Sequence, residues 1–132
     1  MLLLIVLILL LFACPQTWSL LDSEYNALKD LYSQTGGLEW DWKQVSTGRI
    51  WNFTATTTTN ANDICGSSEL DKPIPNSNWQ GIKCICQPQN NYCFVAELTL
   101  QSYGLKGVLP ASLKGLTNLI LLDFSNNVLS TH

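Results

Sequence analysis

Histidine and methionine are almost missing from this chain, with one of each in 132 residues. The histidine is the last residue, His132, at a terminus of the kind that is seldom tied down. No serine or cysteine therefore has an imidazole set beside it, and no glycine-rich phosphate loop occurs. The chain is expected not to be an enzyme, with no catalytic residue and no cofactor. Charge is sparse as well: 13% of residues are charged, against about 25% in an average protein. The ten acidic and seven basic residues give a net charge of −3, and neither sign forms a cluster. Binding a phosphate backbone needs a basic patch, so no nucleic-acid partner is expected. Nothing in the sequence implies a small-molecule substrate. A membrane-length apolar run is missing too. The one long run, residues 2–12, is shorter than the roughly 20 residues a spanning helix needs, and Pro15 closes it.

What is present begins with that run. It lies at the extreme N-terminus, as the apolar core of a signal peptide does, although no Lys or Arg precedes it. Cleavage after Ser19 would put the small residues Thr17 and Ser19 at the minus-three and minus-one positions. Leu11-Phe12-Ala13-Cys14 resembles a bacterial lipoprotein box, but the bulky Phe12 and the missing basic residues argue against that reading. The product is expected to be secreted, or to lie on the extracellular side of the plasma membrane. Removing the leader removes Cys14 and leaves Cys65, Cys84, Cys86 and Cys93. An even number of cysteines in a small secreted domain reads as two disulfides, with three connectivities open. Zinc is disfavoured and no metal site is expected, because Cys84-Ile85-Cys86 has one spacer where zinc knuckles have two to four.

Tyr25, Leu28, Leu31 and Tyr32 recur at helical spacing, which predicts a helix over 21–35. Asp22 or Ser23 can cap it, Glu24 suits its first turn, and Gly36-Gly37 ends it. Trp40, Trp42 and Trp51 could form a sugar platform, but they suit the core of a small domain better. Glu39 and Asp41 lack a cleft and read as solvated acids. Residues 52–78, rich in Thr and then in Ser, Asn, Pro and Gly, read as a long loop that Cys65 pins. Asn52-Phe53-Thr54 is a glycosylation sequon and places Asn52 at the surface. Between Cys86 and Cys93 the chain reads as a short hairpin. A bridge could close it, and in that pairing Cys65 would join Cys84.

The last third repeats. Val95, Leu98, Leu100 and Leu105 recur, with the same spacing, as Leu119, Leu122, Phe124 and Leu129. Residues 98 and 100 point the same way on a strand, into a core. Asn127 can bond backbone groups where the chain turns out of its strand; Tyr103 holds that offset in the first unit. Gly107 and Pro110 shape the return limb, and Leu113 and Leu116 bring apolar groups back inward.

The segment Gly104-Leu105-Lys106-Gly107-Val108-Leu109-Pro110 resembles the plant-type leucine-rich repeat and its Leu-x-Gly-x-Ile-Pro pattern. The step from Val95 to Leu119 falls within the roughly 20–29 residues of such repeats. Ala27-Leu28, Leu31-Tyr32, Thr35-Gly36-Gly37 with Trp40, and Trp79-Gln80-Gly81-Ile82-Lys83-Cys84 resemble the N-terminal cap of such proteins. The cysteine hairpin and the Thr-rich loop depart from that cap. The resemblance implies an α/β fold, a leucine-rich-repeat solenoid fragment behind a helical, disulfide-stapled cap. It divides the chain into a leader (1–19), a cap (20–94), and the first repeat with the start of a second (95–132).

The resemblance further implies a receptor-like or secreted-inhibitor-like module that binds an extracellular protein or peptide on its concave strands. By position that face would comprise Ala96, Glu97, Thr99, Gln101 and Ser102, then Ile120, Leu121, Asp123, Ser125 and Asn126. The repeats stop inside a second unit, so Leu116, Leu119, Leu122 and Phe124 are expected to form an uncovered apolar edge. Either the natural protein continues as further repeats, or a short adaptor self-associates through that edge.

Overall fold

A computed structural model describes residues 18–54, 61–66, 68–69 and 72–131. Most of the expected leader, residues 1–17, lies outside the described residues, as does His132. Trp18 and Ser19 lie inside the fold. Ser19–Leu20 forms strand β1, parallel to the later segment that contains Tyr92 and Cys93. The Trp18 carbonyl accepts from Ala61 N–H at 3.0 Å, and Leu20 is buried.

β1 leads straight into helix α1 (Asp22–Gln34). The strand pairing sets where the helix begins. Leu21, still extended at φ −65° and ψ 141°, is the N-cap, with no side-chain cap bond. This corrects the expected Asp22 or Ser23. Tyr25, Leu28 and Leu31 are buried and Tyr32 is half-buried, as the stripe predicted, and Ala27 joins them. Gly36 ends the helix at φ +76°. Glu24 is also buried, on the inner face of the first turn, where its Oε1 accepts from Val95 N–H at 3.2 Å.

The Trp-rich segment wraps this helix. Trp40, Trp51 and Trp79 are buried, and Trp42 and Phe53 pack against them. Trp51 stacks on Trp79 at 5.5 Å, and Phe53 meets Trp79 edge-on at 4.8 Å. The rings fill the interior, as such cores do when few large aliphatics are available.

The expected loop over 52–78 is not structureless among its described residues. It holds helix α2 (Ala61–Cys65) and an antiparallel strand pair, β2 (Ser68–Glu69) and β3 (Lys72–Pro73). These elements are too short to give a periodic signal, and buried Ala61 and Ile64 dock α2. Of the three possible pairings, the structure forms Cys65–Cys84 and Cys86–Cys93. The first ties α2 to strand β4 (Ile82–Gln87), and the second joins β4 to strand β5 (Tyr92–Thr99). Each such crosslink stabilises by about 2–4 kcal/mol.

β5 is the organising strand. It pairs antiparallel with β4, parallel with β1 at its start, and parallel with the segment Leu121–Asp123 at its end. It therefore crosses the expected 94/95 boundary, and the strand that opens the repeat pairs with both β1 and β4. The chain leaves β5 through strand β6 (Lys106–Gly107) and a 3₁₀ turn (Ala111–Gly115), then returns as β7 (Leu121–Asp123) and β8 (Val128–Leu129). β8 lies parallel to β6. The result is a mixed helix-and-strand α/β fold with two disulfides. Leu116 is buried, not part of the exposed edge as expected, because the 3₁₀ turn beside it packs against α1.

Burial pushes the Glu24 carboxyl up to about 7, partly offset by the Val95 N–H. The folded chain thus keeps a proton that the unfolded chain loses near pH 4.5. The stability this group contributes is full below about 4.5 and falls as pH rises to about 7. Glu24→Gln should abolish that fall and exceed the native chain at pH 8 by on the order of 2 kcal/mol. Urea midpoints across pH 4–8 check this; superimposable profiles for the two proteins would contradict it.

Candidate functional site

The outward face of β5 and β7 is built by register. The two strands pair as Glu97↔Leu121, Leu98↔Leu122 and Thr99↔Asp123. This is the correspondence of the sequence repeat, in which Leu98 recurs as Leu122. β6 and β8 pair two positions short of it, with Lys106 opposite Val128, where the repeat would put Ser130. A slip by two leaves every side chain on its own face, because strand side chains alternate with period two.

A β-bulge explains the uneven step from Val95 to Leu98. Cys84 opposes Val95 while Lys83 opposes Glu97, which leaves Ala96 as the extra residue. Before the bulge Cys93 and Val95 are buried; after it Leu98 and Leu100 are. The inserted residue exchanges the odd-numbered inward set for the even-numbered one. Ala96 itself is buried, which corrects its expected place on the binding face.

The remaining expected residues lie as follows. Glu97 and Thr99 are half-buried on β5, and Gln101 and Ser102 are exposed in the turn that follows. Asp123 is half-buried on β7, beside exposed Ser125 and Asn126. Lys83 Nζ lies 3.0 Å from Glu97 Oε2; with its lysine end in solvent, the pair is of small energetic worth. The hydroxyl and the backbone N–H of Ser125 both donate to Asp123 Oδ1, at 2.6 and 2.9 Å. They hold that carboxyl below its ordinary range. Ile120 and Leu121 are exposed beside these polar groups. Ser102 and Asn126, at matching offsets of the two units, share left-handed backbone at φ 60° and 55°. The turn out of the strand thus repeats as well as the strand.

Asn127 stitches the second unit to the first. Its Nδ2 donates to the carbonyls of Leu100 and Phe124, and its Oδ1 accepts from Leu105 N–H at 3.0 Å. Tyr103, at the matching offset, works differently. Its hydroxyl donates to Gln80 Oε1 at 3.1 Å, and burial pushes the phenol up. Lys43 Nζ sits 4.8 Å from the Tyr103 ring centroid and donates to the Ser102 carbonyl. The first turn is therefore satisfied by the cap, and the second by its own asparagine. Sequence reasoning quoted Gln80 only as part of the segment before β4, without its bonding role, and missed the bulge at Ala96. Neither the bonding role nor the bulge can be read from spacing, because both depend on which segments pair.

Asn127→Ala would strand one donor and two carbonyls in a partly buried turn, at a cost of about 1–3 kcal/mol. Amide exchange should show Leu105 losing protection while α1 keeps its own. Unchanged exchange at Leu105 would refute this account of the turn.

No known family profile matches the chain. It is similar to a probable LRR receptor-like serine/threonine-protein kinase of Arabidopsis thaliana, with 30% identity over 112 residues. The match covers 82% of this chain and 9% of the length of that protein. The chain thus spans about a tenth of that relative's length, and the parallel register of its repeat and its two disulfides are features of its own structure.

Proposed function

We propose that this chain is an extracellular protein- or peptide-binding module, the capped N-terminal part of a leucine-rich-repeat solenoid, without catalytic activity of its own. The observation that carries this reading is the row of outward side chains repeated in register across β5 and β7. Glu97 and Thr99 stand beside Leu121 and Asp123, with Gln101 and Ser125 in the turns that follow. Such a face mixes acids, hydroxyls, amides and an exposed leucine, a chemistry suited to extended polypeptide. Each added repeat would widen it.

A second reading rests on the far edge. Ile120 is 74% and Val128 70% exposed, with Leu121 and Leu122 about half exposed. In this reading a stand-alone adaptor self-associates through β7 and β8, whose outer edges could pair with a second copy. Sedimentation at micromolar concentration separates the two, since self-association requires a concentration-dependent dimer.

The binding reading is tested with photo-crosslinking residues placed singly at Gln101, at Ser125 and, as a control, at Lys29 on the exposed side of α1. Incubation with extracellular fluid of the source tissue should give protein or peptide adducts at the first two positions and none at Lys29. Equal labelling at all three, or none, would reject the face as a site. The secretory reading carries a second expectation. Because Trp18 and Ser19 belong to the fold, a mature chain should begin at or before Trp18. N-terminal sequencing that starts at Leu20 would contradict this.

A further inference from the structure

The most exposed large apolar side chain among the described residues lies outside the strand face. Leu38 is 88% exposed and Ile50 49%, on the side of the cap where α1 ends. Together with Tyr32, Trp51 and Phe53 they line a groove of about 460 Å³, whose wall also includes Asn52 and Thr54. A neighbouring depression of about 450 Å³ shares Tyr32 and Leu38 and is otherwise lined by Ser33, Gly36, Gly37 and Glu39. Tyr32 and Phe53 are half-buried, with ring centroids 5.3 Å apart. Contiguous apolar surface beside polar groups marks a place where something is covered.

The sequence supplies a covering group at this spot. Asn52-Phe53-Thr54 is the sequon, and Asn52 and Thr54 are exposed. The N–H of Thr54 donates to Asn52 Oδ1 at 3.1 Å and its hydroxyl at 2.6 Å, which fixes how the amide is presented. A sugar attached there is tethered to the groove, at an effective concentration no free ligand reaches. The C–H face of an N-acetylhexosamine is apolar and packs on ring faces, whose negative quadrupole attracts C–H groups. Its acetyl methyl suits a wall of Leu38 and Ile50.

We propose that Asn52 carries an N-linked glycan whose innermost N-acetylglucosamine lies in the groove of Tyr32, Leu38, Ile50 and Phe53 and covers it. The donor is a polyprenyl-pyrophosphate-linked oligosaccharide. The Asn52 amide nitrogen bonds to the anomeric carbon as the C–O bond to pyrophosphate breaks. The polyprenyl pyrophosphate departs with the electron pair, and the proton that the amide loses passes to solvent. The glycan acts as part of the fold's surface and leaves the strand face on β5 and β7 open. This inference rests on the extracellular reading above.

The test is expression of the full chain with its own leader in a eukaryotic secretory host. Intact mass and peptide mapping are read for the native chain, Asn52→Gln, Thr54→Ala, Thr54→Ser and the double variant Leu38→Ser/Ile50→Ser. The native chain, Thr54→Ser and the double variant should carry the glycan, and the other two should lack it. Enzymatic removal of the glycan should lower the native melting temperature by a few degrees and raise binding of an apolar dye. In the double variant, removal should change neither. A secreted chain with no glycan at Asn52 overturns this proposal alone. A glycan whose removal leaves melting and dye binding unchanged overturns the groove as its seat. A chain retained in the cytosol overturns the extracellular reading and this one with it.

Discussion

The side-chain amide of Gln80 is fully buried and has four hydrogen-bonding positions to satisfy, two donors and two lone pairs. All four are used. Nε2 donates to the carbonyls of Lys43 and Gly48, and Oε1 accepts from Lys43 N–H and the Tyr103 hydroxyl. The backbone of the same residue donates to the Arg49 carbonyl and accepts from the Trp51 indole. One residue thereby holds the Trp-rich wrap, the aromatic core and the first repeat turn in one arrangement. An unmade bond at any of these positions would leave a buried polar group without water or partner, which costs more than the bond itself contributes. Its neighbours serve the same junction. Trp79 fills the core, while Gly81, at φ +78°, lies where a Cβ would come within 2.5 Å of the Thr99 carbonyl.

The helix is fastened to the return limb by equally close backbone contacts. A Cβ on Gly107 would meet the Gln34 carbonyl at 2.8 Å, and one on Gly115 the Ser23 carbonyl at 2.9 Å. Lys106 N–H donates to the Thr35 carbonyl, which also accepts from the Trp40 indole. The two ends of α1 thus sit against the two ends of that limb, Gly107 and Gly115. The segment before the repeat supplies β4, Gln80 for the turn after β5, and α1 behind the return limb. The second unit then copies this geometry by parallel pairing and satisfies its turn through Asn127. Tyr103 at the asparagine offset is the side chain that reaches from the repeat into the cap.

Much of this was legible in the sequence. The α1 stripe, the glycine stop, the buried tryptophans, the hairpin after Cys86 and the register of the repeat each depend on near neighbours in the chain or on a fixed period. The N-cap at Leu21 was not legible, because β1 pairing moved the helix start. The elements between residues 60 and 74 were not, because strands and a helix this short carry no period. The bulge at Ala96 escaped because it is set by the pairing with β4, and it removed one expected residue from the strand face.

By itself the sequence determined the units: one amphipathic helix, an aromatic-rich wrap, four cysteines that can pair as two bridges, and a repeat whose apolar spacing fits stacked parallel strands. Those follow from local chemistry, since hydrophobic period, turn residues and cysteine count act wherever the chain lies. Only the tertiary structure decided which cysteines meet, that Glu24 lies buried against Val95, that Gln80 is the shared hydrogen-bonding centre, and that Leu38 and Ile50 stay exposed beside Asn52. Each depends on groups far apart in the chain being brought to one place, and that proximity is set by the packing of the whole core.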